Sequence, residues 1–463
     1  MAVAISPNPF RIPNIRWFIA FRTCFNARFY YPVFTILFLD FGLSLEQFAI
    51  LNAVWAATIV LAEVPSGTLA DTIGRRRLVV FAGILMIAEM AILCVVPLSY
   101  PGLIFYAFLC NRSLSGLAEA SASGADEALA YDSLRAVGLS NEWGRVLEWQ
   151  IRFQSAGFIV AMVIGAVVYD PLLMGNVAAW AGLGDSLDQR TTMRFPIYLT
   201  LMMALLALYA AIRFQEDIDG MESEGRGSGS GRQSVVAAFG TTLSAGLWIL
   251  RTPFALTVIL AGLLLDGVLR MVITLVSEYY RMILIPEALF GVIGSGLAIL
   301  GFFIPRLGRA MADNWTPVVN FLLLALLTLV ALVGLGLFLP IAGVIPVVLV
   351  TAVMYFNRFF SSHYLNRIAS SDQRATILSF RGLSFNLAYG LIGMAYSGLL
   401  IYLHRGMPVV ATGGLQNSLE DAVFMVSIRW FPVVFGFAAV LLILFSRSDW
   451  RTHGNTGRLV DTC

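Results

Sequence analysis

The chain has 463 residues, of which 59% are hydrophobic and only 13% charged, about half the charge of a soluble globular domain. Most of its surface must therefore face something other than water, which excludes an ordinary soluble enzyme. A net charge of +2 is uninformative about partners, and nucleic acid is not expected.

Apolar runs recur along the whole length, each long enough to cross a hydrocarbon core of about 30 Å as a helix. In lipid the backbone must satisfy its own hydrogen bonds, so the runs predict an all-α polytopic membrane protein. The first six runs cover about residues 17–39, 47–70, 78–98, 102–124, 148–170 and 194–213. The opening segment MAVAISPNPFRIPNIR lacks the short apolar core and small-residue site of a cleavable signal, so the first run is expected to be retained. A Gly- and Ser-rich polar stretch, QEDIDGMESEGRGSGSGRQS, reads as a flexible linker. Val235, Phe239 and Leu243 follow at helical spacing and predict a short surface helix ending near Leu250. Six more runs cover about residues 253–276, 285–306, 317–339, 343–365, 376–403 and 428–446. The expected organisation is a first six-helix bundle over 1–213, a cytoplasmic linker over 214–252, and a second bundle with a short tail over 253–463.

All 30 basic side chains are arginine. Outside the spans they gather in alternate connections, as at Arg75, Arg76, Arg77, Arg213, Arg306 and Arg309. The positive-inside rule then puts those connections and both termini in the cytoplasm. The halves echo each other. LSLEQFAIL resembles LIPEALFGVIG, aligning Glu46 with Glu287 and Gly67 with Gly308; Arg145 and Arg152 match Arg374 and Arg381; Asn111-Arg112 matches Asn357-Arg358. Two repeats of this kind place a substrate site between them near the midplane.

After the second run comes Gly67-Thr-Leu-Ala-Asp71-Thr-Ile-Gly74-Arg75-Arg76-Arg77. This resembles the signature of the major facilitator superfamily, Gly-x-Leu-Ala-Asp-x-x-Gly-Arg-Arg, and lies where that family carries it. In the fourth run Arg112-Ser-Leu-Ser-Gly116 resembles a second motif of the superfamily, whose arginine is linked to proton movement in proton-coupled members. The Gly-Pro pair that marks antiporters is missing from GFIVAMVIGAVVYD in the fifth run. The resemblance implies twelve helices in two six-helix bundles around a central site. It implies a gate built from Gly67, Asp71, Gly74 and Arg75, with Asp126 or Glu127 answering Arg75. Gly67 and Gly74 are expected to allow close helix approach and a tight turn.

Ionised side chains inside a membrane are costly and mark function or pairing. Arg28, Arg112, Arg152, Arg270, Arg358 and Arg381, with Asn111 and Asn357, are the candidate substrate-binding residues, since guanidinium suits carboxylate and phosphate. Glu63, Glu119 and Asp266 are the candidate proton-coupling acids. Arg112, Glu119 and Asp126, seven apart, are expected on one line of a helix. Asp266 and Arg270 form an i,i+4 pair. Each group has a plainer reading: Glu63 could answer Arg22, Glu148 and Arg152 could satisfy each other, and Glu89 could pack on a peripheral helix. His363, His404 and His453 are scattered, and Cys24, Cys94 and Cys110 fall in apolar runs, so no metal set or disulfide framework is expected. Nor is there a nucleotide loop or nucleophile triad, which argues against an enzyme, a cofactor and an ATP-driven pump.

The expectation is a monomeric secondary transporter of the cell inner membrane. It moves a small anionic or zwitterionic solute by alternating access, with protons as the drive and efflux as the favoured direction. The alternatives are an importer or facilitator of a polar metabolite, a proton-coupled multidrug exporter, and a non-transporting membrane sensor or enzyme.

Overall fold

The computed structural model describes residues 8–182, 187–215, 240, 246–368, 374–407 and 416–453; the side chains of Thr68, Asp71 and Thr72, and of residues 374–376, 378–379, 416–418 and 446–453, lie outside that description. Among the described residues ten helices are long and apolar enough to cross a membrane.

The first part of the chain forms α1 (Pro13–Asn26), α2 (Phe34–Asp40), α3 (Leu45–Ile73), α4 (Arg75–Val95), α5 (Pro101–Ala122), α6 (Ala125–Ala136), α7 (Trp143–Tyr169), α8 (Pro171–Trp180), α9 (Gln189–Thr192) and α10 (Phe195–Ile212). The second forms α11 (Pro253–Thr274), α12 (Val276–Met282), α13 (Phe290–Ala298), α14 (Leu300–Asn314), α15 (Pro317–Gly336), α16 (Val344–Ile368), α17 (Arg374–Gly406) and α18 (Gln416–His453). Helix starts follow local chemistry. Ser44 and Gln47 form a reciprocal capping box on α3. Proline, which needs no N–H partner, opens α1, α5, α8, α11 and α15. The predicted surface helix lies mostly outside the described residues, although 246–251 are helical.

The first predicted span is not one helix. α1 ends at Asn26, the chain unwinds through Ala27–Tyr30 just before Pro32, and α2 begins at Phe34. The break follows from packing. The Phe29 carbonyl presses on α7, where a Cβ on Gly165 would lie 1.8 Å from its oxygen. The unwound Phe29 N–H is satisfied by the Thr200 hydroxyl at 3.0 Å. The seventh predicted span agrees with α11, and α12 begins where that span was expected to end; the eighth, 285–306, is interrupted at Ile299 between α13 and α14. Neither α1 nor α5 is among the ten long apolar helices: α1 has 14 residues, and α5 carries Asn111, Arg112 and Glu119.

α6 was not expected. Gly124, at φ 77°, turns the chain in the left-handed region that glycine tolerates. This breaks the helix between Glu119 and Asp126, so the predicted Arg112–Glu119–Asp126 line does not exist.

Two long contacts join the first part of the chain to the second: α3 against α17 and α7 against α13. Both are made through small residues. Gly390 meets Ala53 and Ala56, Gly393 meets Ala49, and Gly291 meets Met162. The described contacts sit toward the end that carries Asp40 and Glu46; the opposite end carries Gly74 to Arg77 and α6. We refer to these as the closed end and the arginine-rich end.

Candidate functional site

At the arginine-rich end a cavity of about 270 Å³ lies between the two parts. α1 contributes Arg22 and Asn26, α3 contributes Trp55, Ile59 and Glu63, α5 contributes Glu119, and α17 contributes Asn386. Glu63 and Glu119 are in no ion pair among the described residues. Arg22, the alternative partner expected for Glu63, instead pairs with Asp126 (2.8 Å) and Glu127 (2.9 Å). Asp126 is fully buried, and burial pushes its carboxyl up to about 6 against the pull of Arg22.

Behind Trp55 sits Arg112, 6% exposed. Its guanidinium lies 5.1 Å from the Trp55 ring and 5.3 Å from the Phe34 ring, and donates to the Asn52 amide oxygen at 3.1 Å. Its Nε is buried without a hydrogen bond, and no carboxylate pairs with it among the described residues. Gly116 makes this seat possible, because a Cβ there would lie 2.9 Å from Thr58 and the Trp55 carbonyl, holding α5 away from α3. A buried charge normally requires a partner. One neutral amide and two aromatic faces compensate Arg112 only in part.

The second part contributes a facing cluster. Asp266 and Arg270 pair at 2.5 Å on α11, and Arg270 donates to Asn386 at 2.9 Å. Arg270 also stacks 5.3 Å from the Tyr389 ring, which meets Trp55 edge-on at 6.4 Å. Arg358 and Arg381 both feel the Asp266 charge. The Arg381 Nη1 is buried without a hydrogen bond. Asp266 thus pairs with Arg270 and lies within reach of the charges of two more arginines, and a ladder of Arg112, Trp55, Tyr389 and Arg270 crosses the seam between α3 and α17.

Several predicted site residues lie elsewhere. Arg28 is sealed at 3% exposure in an ion pair with Glu89, which packs fully buried on α4. Asn111 donates to the Glu89 carbonyl at 2.9 Å and Asn357 to the Gly262 carbonyl at 3.1 Å; both brace helices. Arg152 pairs with Glu148 at 2.6 Å on an exposed face, away from the cluster. Arg75 pairs with Asp132 on α6, not with Asp126 or Glu127, because α6 turns Asp132 toward the start of α4. Gly74 does adopt φ 97°, whereas a Cβ on Gly67 would meet nothing within 4 Å, so close helix approach is not its role. The Asp71 side chain lies outside the described residues.

Sequence reasoning passed over Asn52, Trp55, Asn386 and Tyr389. The one available signal was Asn52, a buried amide in an otherwise apolar run. It also passed over the closed end. There Arg281 grips Asp40 through two hydrogen bonds (3.0 and 2.8 Å) and Glu287 at 2.8 Å, Tyr169 donates to Asp40, and His404 pairs with Glu46.

The fold has close counterparts among solved structures. A bacterial homolog of the human lysosomal transporter Spinster, inward-facing and unoccupied, superposes with a TM-score of 0.69 at 15% identity, covering 96% of this chain and 98% of that one. The nucleoside transporter NupG superposes at 0.66 and 13% identity, covering 94% and 99%. A D-xylose–proton symporter superposes at 0.56 and 12% identity, covering 91% and 96%. No protein-family model and no curated protein matches the sequence. The chain has the major facilitator fold.

Proposed function

We propose that the chain is a secondary active transporter that carries a small organic anion or zwitterion by alternating access. One observation carries this reading: Arg112 is a buried cation that lacks a carboxylate partner and faces the second arginine cluster across Tyr389. A carboxylate or phosphate held between Arg112 and Arg270 would complete both, and guanidinium geometry suits such ligands. Arg358 and Arg381 would strengthen the field, since Asp266 balances only one of the three nearby arginines. Arg28, Arg152, Asn111 and Asn357 are not assigned to the substrate.

The proton drive is assigned to Glu63 and Glu119, the two cavity acids without an ion-pair partner, with Asp266 coupled to substrate through Arg270. The conformer is the one open at the arginine-rich end, read as cytoplasmic under the positive-inside rule. Residues 1–213 and 253–463 would then form two six-helix bundles that rock about the site, with both termini in the cytoplasm. The chain would act as a monomer in the inner membrane, efflux being the favoured direction.

The test uses purified protein in liposomes. Anions chosen by thermal-shift screening are offered with and without an imposed pH gradient. Transport should be lost in Arg112→Gln and persist as exchange, without the gradient's drive, in Glu63→Gln. The accessible Glu63 carboxylate also favours a second reading, a proton-coupled exporter of lipophilic cations. Cation efflux that survives Arg112→Gln and stops in Glu63→Gln would select it.

A further inference from the structure

A second concavity, of about 800 Å³, lies outside the central site, where the start of α1, the start of α4 and the end of α10 come together. Arg16, Arg76 and Arg213 line it with Trp17, and no described carboxylate does. None of the three arginines forms an ion pair among the described residues. Arg213 is held over the Trp17 ring at 5.5 Å and the Tyr209 ring at 6.0 Å. Arg76 donates to the Ile212 carbonyl at 2.9 Å, while its Nε is buried without a hydrogen bond. These contacts hold the Arg213 and Arg76 guanidinium groups in place without neutralising them.

The surroundings identify the class of ligand. Trp17 and Tyr209 meet edge-on at 5.7 Å, an aromatic pair of the kind that sits at the membrane–water boundary. From there an apolar ridge of α10, with Leu205, Tyr209 and Ile212 each about half exposed, runs toward the middle of the span. Cations at headgroup depth beside an acyl-chain track match a molecule that is anionic at one end and apolar at the other. We propose that this groove binds the phosphate headgroup of an anionic phospholipid, its chains lying on the α10 ridge. The binding would tie α1, α4 and α10 together at the arginine-rich end.

The test is thermal unfolding of the full-length protein in neutral detergent, titrated with phosphatidylglycerol or phosphatidylcholine. Phosphatidylglycerol should raise the wild-type midpoint and phosphatidylcholine should not. In Arg16→Gln/Arg213→Gln the half-saturating phosphatidylglycerol concentration should rise by about thirtyfold, the combined effect of two juxtamembrane arginines. Native mass spectrometry of single Arg16→Gln and Arg213→Gln should show fewer retained phosphatidylglycerol molecules than wild type, should the double variant fold poorly. Arg112→Gln, remote from the groove, should keep the lipid response. An unchanged response in all groove variants overturns the proposal. So does equal protection by inorganic phosphate, which would make the groove a site for free anions. A wild-type midpoint that ignores phosphatidylglycerol but falls when Glu216, Asp217 and Asp219 are neutralised would give the groove to the chain's own acidic run, and also overturns it.

Discussion

Adding one methyl group at Gly291 should wedge the closed end apart. A Cβ at this position would lie 1.9 Å from the Met162 carbonyl oxygen, 2.5 Å from its carbon and 2.9 Å from the Val163 Cα. All three are backbone atoms of α7, so no side chain can swing away, and α13 must retreat by about 1.5 Å to reach ordinary contact. Overpacking of this kind destabilises by about 1–3 kcal/mol. A penalty of about 2 kcal/mol borne by one conformer alone shifts a two-state equilibrium by about thirtyfold. The control is on the same helix: Gly296→Ala, where a Cβ meets nothing within 4 Å. The reporter is Ser397→Cys on α17, a near-isosteric change at a residue 3% exposed and adjacent to Tyr396, which lies by Glu46. In a background with the native cysteines replaced by serine, Gly291→Ala should speed labelling of this thiol by an impermeant maleimide about tenfold or more, and Gly296→Ala should leave it unchanged. Equal labelling in the two variants, with equal thermal midpoints, would refute the inference that this crossing holds the closed end shut.

Three further outcomes are expected. Arg281→Gln leaves Asp40 and Glu287 without their shared cation, and should lower stability by about 1–3 kcal/mol in chemical denaturation, reduced from the value for a dry pair because Arg281 is 33% exposed. Ser277→Ala removes a hydroxyl that accepts from the Thr35 and Ile36 N–H groups at 2.9 and 3.2 Å, and should cost about 1 kcal/mol of thermal stability, as other helix caps do; Ser277→Thr should restore it. Burial raises the Asp126 carboxyl to about 6, above its unfolded value, so its contribution to the folded state is complete at low pH and is lost as the pH rises through 6. The wild-type midpoint should therefore fall between about pH 4 and 7 by an amount that Asp126→Asn removes, and an identical pH slope in the two proteins would refute the assignment.

The membrane class was legible because lipid leaves few choices: long apolar runs become helices, and most predicted boundaries agree with the observed helices within a few residues. The exceptions have physical causes. Hydropathy reports how apolar a run is, not whether its backbone stays wound, so the break at Ala27–Tyr30 did not show in hydropathy, and Pro32 inside the run was the local signal that marked it. That break depends on Gly165 and Thr200, far away in sequence. α6 was hidden because its mixed composition reads as a loop, and without Gly124 to redirect the chain Asp126 appears to continue α5. Charge was legible by type but not by partner. Sequence spacing found the Asp266–Arg270 pair, which is local, and missed Arg28–Glu89, Arg22–Asp126 and Arg75–Asp132, which are not. The distinction that matters for a site, a buried arginine with a partner against one without, is the difference between Arg28 and Arg112 and belongs wholly to the fold.

The break in the first span and the end of α11 bear on how such a seam could be tight and still open, as the proposed function requires. A helix that stops inside a membrane protein leaves orphan N–H groups at one end and orphan carbonyls at the other. Here α2 begins, and α11 ends, at the seam between the two parts of the chain, and each supplies what the other lacks. The Ser277 hydroxyl takes the Thr35 and Ile36 N–H groups, and the Thr35 hydroxyl donates to the Thr274 carbonyl. Water can replace every one of these partners, so parting the seam exchanges hydrogen bonds at small net cost. The Arg28–Glu89 pair is different. Separating it would strand a buried charge, a loss of about 3–5 kcal/mol. That asymmetry binds the unwound segment after α1 to α4 more strongly than α2 is bound to α12. Under the alternating-access reading proposed above, the moving boundary would lie where the first span is broken and α11 ends.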